Sequence, residues 1–133
     1  MNFYLDTDTC IFFLRGKDGR LLEHVQRHWP EDIKIPSMVK AELLLGVEKS
    51  LRRDETAAAV RAFLHPYEIV PFDGNAADCY ASLRADLERT GHVIGPNDLI
   101  IAATVISRQG RLVTHNTKEF SRIRELKTVD WSR

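Results

Sequence analysis

Apolar positions along the chain alternate between short runs and helical spacing. Residues 2–6, Asn-Phe-Tyr-Leu-Asp, form a run that ends on an acid and reads as a strand. Thr7, Asp8 and Thr9 then offer caps for a helix over 10–14, which Gly16 closes. Leu21, Leu22, Val25 and Trp29 recur at helical spacing until Pro30, and a short strand is predicted over 33–35. Ser37 is the expected cap of a third helix over about 38–50. Beyond the polar break at Arg52-Arg53-Asp54, a fourth helix is predicted over 56–64, ended by His65-Pro66, and then a strand over 68–72 that carries Pro71 near its edge. A fifth helix over about 75–89, capped by Asp73, leads to a loop over 91–97. Pro96 suits the first turn of a sixth helix, which ends before Gly110 and is apolar almost all round from Leu99 to Ile106, as a buried helix is. Strands at 111–115 and, weakly, at 128 and 129 complete the pattern. Strands alternating with helices, joined by crossovers too long for hairpins, predict an α/β domain with a mainly parallel central sheet flanked by helices.

Composition narrows the picture. With 133 residues, 44% hydrophobic and 29% charged, and no repeat or linker, residues 1–133 read as one globular domain. Cys10 and Cys79 form no CxxC pair, which excludes a disulfide framework and a thiolate zinc site and fits a reducing, cytoplasmic setting. Nineteen basic residues balance nineteen acidic ones, so nucleic acid cannot be held by bulk charge alone. The opening MNFYLDTDTC carries no basic leader, so no targeting peptide is expected, and no apolar run is long enough for a bilayer.

In open parallel sheets ligands bind beyond the carboxyl ends of the strands, which makes the polar residues there the first functional candidates. Asp6 ends the first strand, Asn116 follows the strand at 111–115, and Asp98 lies in the first turn of the apolar helix, where the dipole favours a carboxylate. Glu42 has Met38, Val39, Leu45 and Gly46 as helical neighbours, and a carboxylate on an apolar face needs a partner. Each acid also has an ordinary alternative: Asp6 as a helix cap, Asp98 as a capping or dipole residue, Glu42 as the partner of a buried amide or an arginine. If the three converge, their repulsion calls for a cation, and oxygen ligands that leave room for water suit Mg²⁺ or Mn²⁺. Glu48 is expected to pair with Arg52 on the surface, and Asp8 to cap the first helix. Histidines 24, 28, 65 and 92 read as solvated, and His115 as structural at its strand end. Leu43, Leu44 and Val47 are expected in the core.

With these residues placed, the chain resembles the PIN-domain ribonucleases, and among them the VapC-type toxins of toxin–antitoxin pairs. The resemblance spans nearly the whole length. It rests on Leu5-Asp6-Thr7, on Ala41-Glu42-Leu43 followed by residues 46–50, on Gly95-Pro96-Asn97-Asp98 leading into Ile101-Ala102-Ala103, on residues 112–120, and on Val129-Asp130-Trp131. It implies a five-stranded sheet, a Mg²⁺- or Mn²⁺-dependent endoribonuclease with Asp6, Glu42 and Asp98 as acidic ligands, a homodimer, and a cognate antitoxin that blocks the site. The Gly-Pro-x-Asp form implies structured RNA such as transfer RNA as substrate. Two positions depart from the pattern: Asn116 stands where many relatives carry a fourth acid, so that a carbonyl oxygen or Glu119 takes its place, and Asp8 stands where asparagine is frequent.

The chemistry expected is attack of an activated water on the scissile phosphate, giving 5′-phosphate and 3′-hydroxyl ends, with Thr7, Thr114 and Asn116 orienting the acids. An acidic pocket repels RNA, so a basic rim is needed, with Arg15, Lys17, Arg84, Arg89 and Lys118 as candidates against the reading that they are merely solvated. Two rivals remain. Asp6-Thr7-Asp8-Thr9 fits the DxDxT pattern of haloacid-dehalogenase-like phosphatases, with Asp6 as nucleophile and Asp8 as general acid. Asn116 alternatively suits a PIN-like binding module without turnover.

Overall fold

A computed structural model of the chain describes residues 1–16 and 19–132. Five short strands, β1 (Phe3–Leu5), β2 (Ile33–Pro36), β3 (Glu68–Val70), β4 (Arg111–Val113) and β5 (Lys127–Val129), form one sheet in the order β3-β2-β1-β4-β5. Every pairing is parallel, where a mainly parallel sheet was predicted. Tyr4 lies opposite Lys34 on one side and Leu112 on the other, which aligns the carboxyl ends of the three inner strands. Leu5, Ile35, Val70 and Leu112 are fully buried, as strands covered on both faces require. The order turns back at β1: the chain first builds outward through β2 and β3, then returns to place β4 on β1's other edge. The crevice at that reversal is where such sheets bind ligands.

The connections are α1 (Thr7–Arg15) and α2 (Gly19–Arg27), a single 3₁₀ turn at Pro30–Asp32, α3 (Ser37–Glu48), α4 (Arg53–Leu64), α5 (Gly74–Thr90), α6 (Pro96–Ser107) and α7 (Thr117–Phe120). α1, α3 and α4 pack together, and α5 lies along α6. The predicted apolar helix is α6: Leu99, Ile101, Ala102, Ala103, Thr104 and Val105 are all buried. Its turn into β4 demands glycine, because a Cβ on Gly110 would stand 2.3 Å from the Tyr4 ring.

Several local expectations need correction. α1 starts at Thr7 rather than 10, and its cap is Asp6, which accepts from Thr9 N; Asp8 instead lies exposed in the first turn. Ser37 is already helical, with Pro36 as the cap position, and its Oγ accepts from Phe72 N to tie down the segment after β3. α4 begins at Arg53, three residues earlier than predicted, because Asp54 and Glu55 suit its first turn. β3 stops at Val70, leaving Pro71 outside the ladder, and β4 stops at Val113. Glu48 pairs with Arg53 at 2.6 Å, while Arg52 turns to Glu55. Asp73 caps α5 as expected, accepting from Ala76 N.

The apolar residues near α2 and α3 divide differently from the pattern. Leu43 and Val47 join the core, but Leu44 is exposed, and Trp29 falls beyond the end of α2 and is 73% exposed. His24 and His28 are not simply solvated: both rings stack on buried Trp131, at 5.4 and 4.7 Å between centroids, and His28 also meets Phe3 edge-on. This cluster fastens the C-terminal segment to α2 and β1. His65 and His92 are exposed, and His115 packs edge-on against Phe12 at 4.8 Å.

Candidate active site

The crevice at the β1/β4 reversal gathers five acids from four places in the chain. Asp6 leaves β1, and it is 4% exposed because α1, β4 and the segment after β4 close over it. Its Oδ1 accepts from Thr9 N at 2.9 Å, and Thr114, fully buried beyond β4, hydrogen-bonds to it as well. Burial pushes the Asp6 carboxyl up, and these hydrogen bonds pull it partly back. Thr9 Oγ1 donates to Val113 O at 3.2 Å, and Asp6 N donates to the same carbonyl, which locks the start of α1 to the end of β4.

Asp98 enters from the first turn of α6. It is half-buried, and its pKa is pushed up to about 6 by desolvation first, then by Glu119, Glu42, Asp6 and Asp8. These five carboxylates therefore share one field. Glu42 is half-buried beside the core stripe of α3, with Leu45 and Gly46 exposed, so the apolar face that singled it out in the sequence is partly a surface. Its oxygens accept from Thr7 Oγ1 at 2.6 Å and from Asn97 Nδ2 at 3.5 Å. Asn116 Nδ2 donates to Glu119 Oε2 at 2.8 Å, and Asn116 N donates to Thr114 Oγ1 at 3.0 Å. Asn116 thus holds Glu119, whose charge reaches Asp98.

The partners of these acids are neutral. Among the described residues no Lys, Arg or His makes an ion pair with Asp6, Asp8, Glu42, Asp98 or Glu119. An uncompensated group of carboxylates held by Thr and Asn donors fits a hard cation with oxygen ligands. The carboxylates share a field rather than a ready cage, since among the described residues no three His, Cys, Asp or Glu side chains are grouped as a metal site.

The expected basic rim is only partly where it is needed. Lys118 on α7 is exposed next to Glu119. Arg89 closes α5 and pairs with Asp86 at 2.8 Å. Arg84 is engaged along its own helix by Glu88 and the Tyr80 hydroxyl. Arg15 stands at the far end of α1, roughly 12 Å along the axis from Thr7. Lys17 lies outside the described residues. Two contributors escaped sequence reasoning: Asn97, whose contact with Glu42 spans 55 positions, and Thr9, whose backbone amide holds Asp6. The Asp-Thr-Asp-Thr run carried a signal for the second, as a cap pattern read one residue pair too late.

Comparison with known proteins agrees with this geometry. The PIN domain family matches residues 3–126. A tRNA(fMet)-specific endonuclease VapC of Shigella flexneri is 35% identical over 99% of both chains, and Ribonuclease VapC2 of Rickettsia felis is 34% identical over the full length of both. Among solved structures, VapBC2 from Rickettsia felis bound to a promoter DNA fragment superposes with a TM-score of 0.94 at 34% identity, covering 98% of this chain and 99% of that one. DNA-bound VapBC from Salmonella typhimurium gives 0.94 at 36% identity, with 98% of each chain covered. The fold is that of a PIN domain. Within that class, this chain belongs to the VapC ribonuclease family of toxin–antitoxin toxins. A haloacid-dehalogenase-like phosphatase finds no support beside a full-length match of this kind.

Proposed function

We propose that the chain is a divalent-metal-dependent endoribonuclease that cuts structured RNA, with transfer RNA as its substrate class and initiator tRNA the first to test, since two relatives at 35% and 36% identity carry that specificity. The observation that supports this most is the set of five acids at the sheet's reversal point with no basic partner among the described residues. Asp6, Asp98 and Glu42 are the residues to hold Mg²⁺ or Mn²⁺, with Glu119, steadied by Asn116, in place of the fourth acid. When bound, such an ion lowers the pKa of a water and stabilises charge on the phosphoryl group. The chain's own part is positioning. Thr9 N and Thr114 fix Asp6, Thr7 and Asn97 orient Glu42, and the N-terminal turn of α6 presents Asp98. Water as nucleophile predicts 5′-phosphate and 3′-hydroxyl products.

The protein acts as the toxin of a pair, and the VapBC complexes among its structural neighbours support an antitoxin as its partner; that antitoxin is taken to block the site. Leu44 and Leu45 on α3 and Leu51 beyond its end, the last two 52% and 104% exposed, are apolar side chains open to such a partner. A homodimer in the cytoplasm completes the reading; no helix among the described residues is long and apolar enough to cross a membrane.

Cleavage of initiator tRNA by the antitoxin-free protein tests this directly, with Mg²⁺ or Mn²⁺, with EDTA, and with Asp98→Asn. Discrete cuts that need metal and vanish in the variant are expected. A folded, metal-loaded protein that leaves tRNA intact refutes the reading and favours a binding module without turnover.

A further inference from the structure

An open groove of about 520 Å³ lies between the end of α5 and the segment after α7. Leu83, Leu87 and Ile123 contribute buried apolar residues to it, while Arg89, His92, Arg122 and Arg124 line it with cationic or titratable side chains against the acids Asp86 and Glu125. Arg89 is neutralised in part by Asp86. Arg124 is exposed and has no acidic partner among the described residues. Arg122 Nη1 donates to Val93 O at 2.8 Å, which ties the two walls together across 29 positions.

The walls both lead to the candidate active site. One continues from α5 through residues 91–95 into α6 and Asp98; the other begins where α7, carrying Lys118 and Glu119, ends. A polyanion approaching five carboxylates is repelled at the centre, so its attraction must come from cations on an adjoining surface. The geometry points to this groove as the track for the phosphate backbone of the structured RNA on the side of the cut nearest α5 and α7, with Arg89, Arg122 and Arg124 as its phosphate contacts. The assignment rests on the ribonuclease reading above and adds to it a path for the substrate. A groove open along its length suits a polymer backbone rather than an enclosed small ligand, and cations on an irregular surface read charge and shape rather than sequence.

The test measures binding of initiator tRNA by the full-length chain in an Asp98→Asn background, which keeps the RNA intact, across 50–200 mM salt. Arg89→Glu with Arg124→Glu is expected to weaken binding on the order of tenfold or more and to flatten the salt slope by roughly 0.7–0.9 per lost phosphate contact. The charge-matched control Arg53→Glu with Arg61→Glu, on α4, should bind within about twofold of its parent. Arg124→Ala, the milder change, should fall between parent and double variant, with circular dichroism confirming the fold of each. Equal losses in the control, or parent-like binding by the groove variants, overturn the proposal. So does weakened antitoxin binding with tRNA affinity intact, which would give the groove to the protein partner. Absence of tRNA cleavage by the unsubstituted protein is the separate failure of the ribonuclease reading.

Discussion

Replacing Asp98 by asparagine should make the metal-free protein more stable while abolishing its activity. The folded chain holds the Asp98 proton up to about 6 against an ordinary 3.8, so the folded state binds that proton more tightly than the unfolded one. Below the unfolded value the group is neutral in both states and costs nothing. As pH rises through the folded value its stabilising protonation is lost, and above about 6 the charged carboxylate weighs fully against the fold. A shift of about two units corresponds to a ceiling of roughly 3 kcal/mol. Asp98 is only half-buried, and solvent screening reduces this to about 1.5 kcal/mol. Loss of the favourable dipole contact in the first turn of α6 removes roughly 0.5 kcal/mol. The net gain is then about 1 kcal/mol at pH 7.5, or about 3 °C in Tm for a domain of this size. Urea denaturation of both proteins in EDTA at pH 4, 6 and 7.5 reads it, since titrating groups outside the crevice cancel between them and the four acids coupled to Asp98 gain in the same direction when its charge is removed. A variant less stable than the parent at pH 7.5, or a difference that does not change with pH, refutes the reasoning. Mg²⁺ at ten times its Kd should raise the parent's stability by about 1.4 kcal/mol and the variant's by less.

Thr114→Val removes a hydroxyl that serves both Asp6 and the Asn116 amide, and should cost about 1–3 kcal/mol by denaturation and lower cleavage at saturating RNA. Gly110→Ala should destabilise by about 1–3 kcal/mol, because the added methyl meets the Tyr4 ring at 2.3 Å; a neutral result in thermal unfolding would show that the ring moves freely. Trp131→Ala opens the stack with Phe3, His24 and His28 and should cost about 3–5 kcal/mol in the same measurement. Leu45→Asp replaces an exposed leucine of α3 by a charge and should weaken antitoxin capture on the order of tenfold in a titration, with unfolding shifted by less than about 0.5 kcal/mol.

The linear pattern determined the fold class and put Asp6 and Asp98 at the carboxyl edge of the sheet, for physical reasons that are local. Strands buried on both faces must be continuously apolar, α6 must be apolar all round to lie where it does, and an acid that ends a parallel strand or opens such a helix falls at the carboxyl edge of the sheet. What depended on neighbours distant in sequence could not be read. Whether Asp6 or Asp8 capped α1 was settled by the end of β4, whose Val113 carbonyl takes Asp6 N and Thr9 Oγ1. The apolar spacing around Glu42 looked like a core face, but packing buried Leu43 and Val47 and left Leu44 and Leu45 outside, since a stripe of leucines has the same pattern against a core or a partner. The stacking of His24 and His28 on Trp131 joins residues more than 100 positions apart, and the groove joins Arg89 and His92 to Arg122 and Arg124. The raised pKa of Asp98 is likewise a property of the assembled crevice, because burial, its larger cause, exists only once the chain is folded, and only the folded sheet brings the charges of Glu119, Glu42, Asp6 and Asp8 into reach.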